Sequence, residues 1–319
     1  MSRTIRTNRI NRTAVAAALL AATSLALLAL VGCSTAPAPE SSSAPATSAF
    51  PVTITDDAST TVTIKSEPKR IVSLAPADTE IAFALGLGDR VVGVTTYDDY
   101  PAEVKGITKI GDFANPNVEA IAGTKPDLIL ATTGVQADVV KKLEALGAAV
   151  ITIDPQNLDG VYVDIERVGK ATGTSEKAAA VVDSMKADVA KIEQTIEGQP
   201  AVTTFVEIGQ NPLYTVGSGT LIDELIKLAG GINVVTQPGY VAYASEQLIK
   251  ADPQVYLATE GSGSQPATIA KRAGFAKLTA VVNNRVVILD DNLVSRPGPR
   301  VVEGLRQMAA ALHPDLFDK

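Results

Sequence analysis

The chain has 319 residues, long for one ordinary domain and comfortable for two, and 46% hydrophobic content is enough for real cores. With 7 Tyr, 6 Phe and no Trp, any aromatic side chain that lines a site is a notable placement. The 28 Lys and Arg against 35 Asp and Glu give a charge of −7, which argues against nucleic-acid binding, since phosphate contacts need clustered Lys and Arg.

The N-terminus reads as a targeting segment. Arg3, Arg6, Arg9 and Arg12 precede an apolar run from Ala14 to Val31, and "LVGC" follows at Leu30 to Cys33. A positive start, a hydrophobic stretch and a small residue before the break make a secretory signal over residues 1–32. A transmembrane anchor is the competing reading, because about 18 apolar residues can span a bilayer. Cys33 is the only cysteine, so it has no internal disulfide partner. It stands where lipoprotein signals place the acylated residue, and "LVGC" resembles that lipobox. Residues 33–49 are a Ser/Ala/Pro-rich tether that cannot build a core. Its relaxed span is on the order of 20–25 Å. The body is thus expected outside the cytoplasm, lipid-anchored to the cell membrane.

From Phe50 the body begins with β-branched runs around Asp56-Asp57, a small hairpin. An alternation follows: strand "RIVSLA", helix "ADTEIAFALGLG", strand "RVVGVT", helix "NVEAIAGT", strand "DLILAT", helix "QADVVKKLEALG" and strand "AVITID". Short Val/Ile-rich strands and helices that stop at Gly predict a parallel sheet with helices on its faces. "TSEKAAAVVDSMKADVAKIEQTIEG" then predicts one helix of about 23 residues, roughly 35 Å long. The alternation restarts with strand "TTFVEIG", helix "LIDELIKLAGG", helix "SEQLIKAD", strand "QVYLAT", helical material through "IAKRAGFAKLTAV", strand "RVVILD" and a last helix from about Val301 to Leu312. The expected fold is α/β, two Rossmann-like lobes with central parallel sheets joined by one long backbone helix. The lobes are residues 50–172, with the leading hairpin, and 199–319; the linking helix is 173–198.

A repeat supports the two-lobed reading. "VEAIAGTKPDLILATTG" at Val118–Gly134 and "SEQLIKADPQVYLATEG" at Ser245–Gly261 align at an offset of 127, with six identities in the sixteen positions from Glu119 to Gly134. Glu119 meets Glu246, and Phe113 and Tyr240 lie six residues before them. Chance likeness between two β-α-β segments is the competing explanation.

Catalytic apparatus is sparse. The one histidine, His313, precedes a proline near the C-terminus, and no nucleophile elbow, P-loop or full dinucleotide fingerprint appears. A site made of several imidazoles or thiolates is excluded by the counts. No enzyme and no resident cofactor are expected. Two lobes bury a ligand at the carboxyl ends of their strands, which makes the loops there the candidates: Tyr97, Thr132, Thr133, Tyr214 and the stretch Asp290–Arg300; the repeat adds Phe113 and Tyr240, matched aromatics in polar loops that contain Pro, Gly and Asn. Within "SRPGPR", Arg296 reads as a clamp for carboxylate, phosphate or catecholate oxygens, or as part of a structural lead-in to the last helix. For Arg300, pairing with a carboxylate of the body is the reading.

"PKRIVSLAPADTEIAFALGLGDRVVGVTTYDDYP" and "GDFANPNVEAIAGTKPDLILA" resemble the substrate-binding proteins that deliver cobalamin and ferric siderophores to ABC importers. The likeness covers about Pro68 to Leu312 and is closest to the cobalamin-binding members in "SLAPADTE", "YDDYP", "NVEAI…KPDLI" and "SEQ". It implies a monomer that captures a metal chelate, ferric siderophore or cobalamin, and delivers it to a permease dimer. It implies docking through Glu119 and Glu246, one per lobe, and ligand contacts at Tyr97, Phe113, Tyr240 and Arg296. The chain departs from the cobalamin pattern: Phe113, Thr132 and Tyr240 stand where tryptophans are used, and Asn292 where an acid is. Ferric siderophore and cobalamin therefore both stay open. A haem-binding relative, a secreted enzyme working in the cleft and a sensor domain are the alternatives.

Overall fold

A short hairpin opens the described part of the chain, residues 50–317 of this computed structural model. The expected signal segment, the tether and Cys33 lie outside the described residues. Strands β1 (Val52–Thr55) and β2 (Thr61–Ile64) pair antiparallel, and of these residues only Ile54 and Ile64 are buried. Asp56 ties the hairpin to the lobe, accepting from the Thr60 N–H at 2.7 Å and the Thr152 N–H at 3.0 Å.

Four parallel strands carry the first lobe: β3 (Ile71–Ser73), β4 (Val91–Gly93), β5 (Leu128–Ala131) and β6 (Val150–Thr152), in the order β4-β3-β5-β6. β3, β5 and β6 bury every residue, which explains runs such as "LILA" without alternation. Helices α1 (Pro76–Ala84), α2 (Val118–Gly123) and α3 (Ala137–Ala145) lie between them in the chain.

After β6 comes α4 (Leu158–Thr172), an element the sequence reading passes over. Its signals are present: Asn157 caps it by accepting from the Gly160 N–H at 2.8 Å, and Val161, Ile165 and Val168 bury one stripe. Gly173, at φ 74°, ends it in the left-handed region. The long helix follows as α5 (Ser175–Ile196), 22 residues or about 33 Å, burying Ala178, Val182, Met185, Val189 and Ile192. The two helices pack so closely at Gly169 that a Cβ there would lie 2.4 Å from Ala178 Cβ.

The second lobe has strands β7 (Val202–Gln210), β8 (Leu213–Val216), β9 (Gly231–Asn233), β10 (Tyr240–Ala242), β11 (Val255–Thr259) and β12 (Val286–Leu289). The sheet order is β10-β8-β7-β11-β12, with β9 also on β7. β7, β9, β11 and β12 pair in parallel, as expected of a central sheet; β8 and β10 are antiparallel additions, so this sheet is mixed. The helices are α6 (Leu221–Leu228), α7 (Ser245–Ala251), α8 (Pro266–Ile269), α9 (Thr279–Val282), α10 (Asp291–Val294), α11 (Val301–Leu312) and α12 (Pro314–Phe317). The stretch read as continuous helical material breaks between α8 and α9 at Gly274, whose φ is 83°. One apolar cluster runs from the first sheet through α4, α5 and α11 to the second.

The repeated unit holds the same station in both sheets. β5 lies between β3 and β6, and β11 between β7 and β12, all parallel. The likeness reaches the turns. Lys125 and Asp252, partners at the offset of 127, both take a left-handed conformation, with φ 51° and 42°. Two residues on, Asp127 accepts from the Lys69 and Arg70 N–H groups at 2.8 Å each. Its partner Gln254 accepts from the Thr203 N–H at 3.0 Å and the Thr203 hydroxyl at 3.2 Å. A side chain at one station thus fixes the start of the neighbouring strand in each lobe.

Candidate functional site

A cleft of about 850 Å³ opens between the lobes. Ala75–Asp78 follow β3, Tyr97 follows β4, Thr132 follows β5, Ile153–Gln156 follow β6, and Asp291, Asn292 and Ser295–Pro297 follow β12. Asp112–Asn115, Leu221 and Tyr240 complete the lining. Nearly the whole wall is therefore built at the carboxyl ends of parallel strands, where open α/β sheets place ligands.

Tyr97, Phe113, Thr132, Tyr240 and Arg296 come together on this wall. Tyr97 is 62% exposed and Tyr240 51%, so both rings are free to stack on a ligand. Tyr214 stands outside the lining. Its hydroxyl donates to the Tyr240 carbonyl at 3.1 Å, across the pairing of β8 with β10, and so supports Tyr240 from behind. Tyr240 is half-buried, and that partial burial, then the negative charge of Asp154 across the cleft, push its phenol upward in pKa.

Three lining loops are held by one residue that the sequence reading misses. Gln136 is fully buried; its amide donates to the Leu74 and Phe113 carbonyls at 2.8 Å each, and its oxygen accepts from the Thr132 N–H at 3.0 Å. The loop after β4 is organised by Asp98, which accepts from the Thr95 N–H at 2.9 Å and from the hydroxyls of Thr79 and Thr95. Burial raises the Asp98 pKa against the pull of these donors.

Arg296 is engaged on the cleft wall. Its guanidinium donates to Glu80 at 3.1 Å and to Asp99 at 2.6 Å. Arg300 takes both oxygens of Glu80, at 2.9 and 2.7 Å, and stacks 3.8 Å over the Tyr100 ring. Asn292 donates to Asp99 at 3.4 Å. Glu80, Asp99 and Tyr100 belong to the first lobe and the arginines to the second, so this ion cluster ties the lobes at the cleft. Burial pushes the Asp99 pKa up, but the hydrogen bond and charge of Arg296 outweigh it and hold the carboxyl low.

Carboxylates are the other feature the sequence reading leaves undistinguished. Asp78, Asp112, Asp154 and Asp291 all line the cleft. Asp78, at the start of α1, is 2% exposed, and its Oδ2 has no hydrogen-bond partner. Burial, then the charges of Asp98 and Asp154, raise its pKa well above the usual carboxylate range. Among the described residues no three His, Cys, Asp or Glu converge as metal ligands would. His313 lies at the end of α11, outside the lining.

Glu119 and Glu246 are not in the cleft. Each is the second residue of its short helix, α2 or α7; each is exposed, and neither side chain makes a hydrogen bond or ion pair.

A family profile described as periplasmic binding protein matches residues 71–293. An ABC transporter substrate-binding lipoprotein of Bacillus subtilis is 40% identical over 311 residues, 94% of this chain and 98% of its own length. A cobalamin-binding protein of Halobacterium salinarum is 31% identical over 275 residues, covering 83% of this chain and 74% of its own. Among solved structures, a Staphylococcus epidermidis protein described as a possible iron-binding, periplasmic solute-binding protein is similar, with a TM-score of 0.71 and 34% identity, over 78% of this chain and 100% of that one.

Proposed function

The chain belongs to the periplasmic binding protein family, and from that premise we propose that it captures a bulky metal chelate of the ferric-siderophore or cobalamin kind in its interlobe cleft and delivers it to an ABC permease, anchored to the membrane through Cys33. The protein is the substrate-binding component of an ABC transporter and not an enzyme. The observation that carries the ligand reading is the cleft itself: about 850 Å³, walled from both lobes, with Tyr97, Phe113 and Tyr240 supplying flat apolar faces and Thr132 a polar one. That volume suits a large, rigid ligand.

Delivery is read from the outer surface. Glu119 and Glu246 stand at equivalent stations of the two lobes, exposed and unpaired. A helix start favours an acid at each position singly. A matched pair in addition suits a partner made of two like subunits. Uptake of the bound chelate by cells carrying Glu119→Arg with Glu246→Arg tests this. Uptake is expected to fall at least about tenfold, the scale of losing one pair of charge contacts, while ligand affinity stays unchanged. Undiminished uptake with normal affinity would remove the docking role.

A further inference from the structure

The charges on the cleft wall narrow the class of chelate, an inference that rests on the capture reading above. Four carboxyl groups and one guanidinium line the cleft: Asp78, Asp112, Asp154, Asp291 and Arg296. The single cation is already matched. Arg296 and Arg300 stand against Glu80 and Asp99, two positive charges against two negative, with contacts of 2.6 to 3.1 Å. Among the described residues that line the cleft, no positive charge is left over for an anionic ligand.

The acids are in the opposite condition. Asp112, Asp154 and Asp291 form no ion pair and meet only neutral donors. Asp112 accepts from the Asn115 N–H at 2.6 Å, Asp154 from the Thr133 hydroxyl, and Asp291 from the Ser295 hydroxyl at 3.3 Å. Each interaction occupies one oxygen and leaves the other open. Asp112 and Asp154 belong to the first lobe and Asp291 to the second, so carboxyl-bearing residues line the cleft from both walls. Asp78 adds a buried carboxyl whose Oδ2 has no partner.

We infer that the cleft selects an uncharged or cationic chelate whose rim carries N–H donors, and rejects anionic chelates. Open carboxylate oxygens reward such donors with charge-assisted hydrogen bonds. An anion meets the same oxygens as repulsion. A unit charge about 7 Å from one carboxylate, at an effective dielectric near 20, changes affinity by roughly fifty-fold before salt screening, and about tenfold is the working expectation.

The test is binding of four probes to the full-length protein in detergent, followed by calorimetry: cyanocobalamin (uncharged, amide-rimmed), ferrioxamine B (cationic), ferric enterobactin (anionic) and hemin (two propionates). One of the first two is expected to bind at least about tenfold more tightly than either anionic probe. For ferrioxamine B, Asp154→Asn and Asp291→Asn should each weaken binding about tenfold. Salt gives a readout that needs no variant, since rising ionic strength should weaken the cationic probe and strengthen an anionic one. Tighter binding of an anionic probe, or unchanged affinity for the cation in both variants, overturns the charge assignment and leaves chelate capture standing. Failure of all four probes to bind overturns chelate capture itself, and the charge assignment with it.

Discussion

Glu80 is the residue on which the interlobe ion cluster turns, and Glu80→Gln tests its weight. The carboxylate is 3% exposed and accepts one bond from Arg296 and two from Arg300. Gln keeps the shape but offers one acceptor oxygen and no charge. Removing one partner of a buried ion pair costs roughly 3–5 kcal/mol when the other charge is left orphaned. Here Arg296 retains Asp99, and the arginine side chains are 14% and 17% exposed, so part of the orphan charge is relieved by water. We expect a loss of about 2–3 kcal/mol in urea unfolding. For a body of this size that corresponds to roughly 5–10 °C in Tm. Asp99→Asn is the internal control: with its side chain 54% exposed, Asp99 should cost under about 1 kcal/mol. A Glu80→Gln loss no larger than the Asp99→Asn loss would refute the view that burial of Glu80 decides the energy. Glu80→Gln also leaves the Arg300 guanidinium unmatched beside the cleft and should improve hemin binding relative to wild type.

Two further outcomes follow from single side chains. Gln136→Leu strips partners from the Leu74 and Phe113 carbonyls and the Thr132 N–H; at about 1–3 kcal/mol for a buried polar group left unsatisfied, stability should fall by about 3 kcal/mol or more and ligand affinity with it, measured by urea unfolding and calorimetry. His313 is 8% exposed with its Nε2 unpartnered, and burial holds its pKa below the usual value of 6.5. The unfolded chain therefore takes the proton first as pH falls, so this contribution is intact above about pH 6.5 and is lost below it, by about 1.4 kcal/mol for each unit of depression. His313→Asn should lose less stability than wild type between pH 7.5 and 5; an equal loss in both would show that the group is not the source.

Much of the fold is legible in the sequence because short strands buried on both faces leave a plain record. "LILA" and "VYLAT" become β5 and β11, both wholly buried, and the 127-residue offset between them becomes equivalence of station. Helix α5 is legible from its uninterrupted spacing. Helix α4 is harder to separate although its cap and stripe are present, because only Gly173 and Thr174 divide it from the longer helix that follows. Strands β8 and β10 are only four and three residues long and sit among turn residues, too short to show an alternation. In the cleft, the rule that loops after parallel strands hold the ligand brings Tyr97 and Thr132 into view, and the repeat brings Phe113 and Tyr240. Asp78, Asp112, Asp154 and Asp291 stay hidden because 35 acidic residues give no reason to single out these four; only the fold gathers them. Arg296 shows the same limit from the other side: its partner Glu80 lies 216 positions away, a pairing with no sequence signature.

That pairing decides between the two meanings of an arginine in a ligand cleft. As a clamp, Arg296 must let go of Glu80 or Asp99 before it grips an anion. Each charge-assisted bond given up is worth about 1.5–3 kcal/mol, and the bond gained with the ligand is worth the same. The exchange is close to neutral, and the released carboxylate then faces the anion. A ligand that presents N–H donors breaks nothing: Asp112, Asp154 and Asp291 each hold an open oxygen before the ligand arrives. The arginines accordingly act on binding by holding the walls together through Glu80, and the acids act on it by contact. Charge on the ligand, more than its size, is then what this cleft discriminates, since its aromatic faces accept any flat rim while its carboxylates accept only one sign.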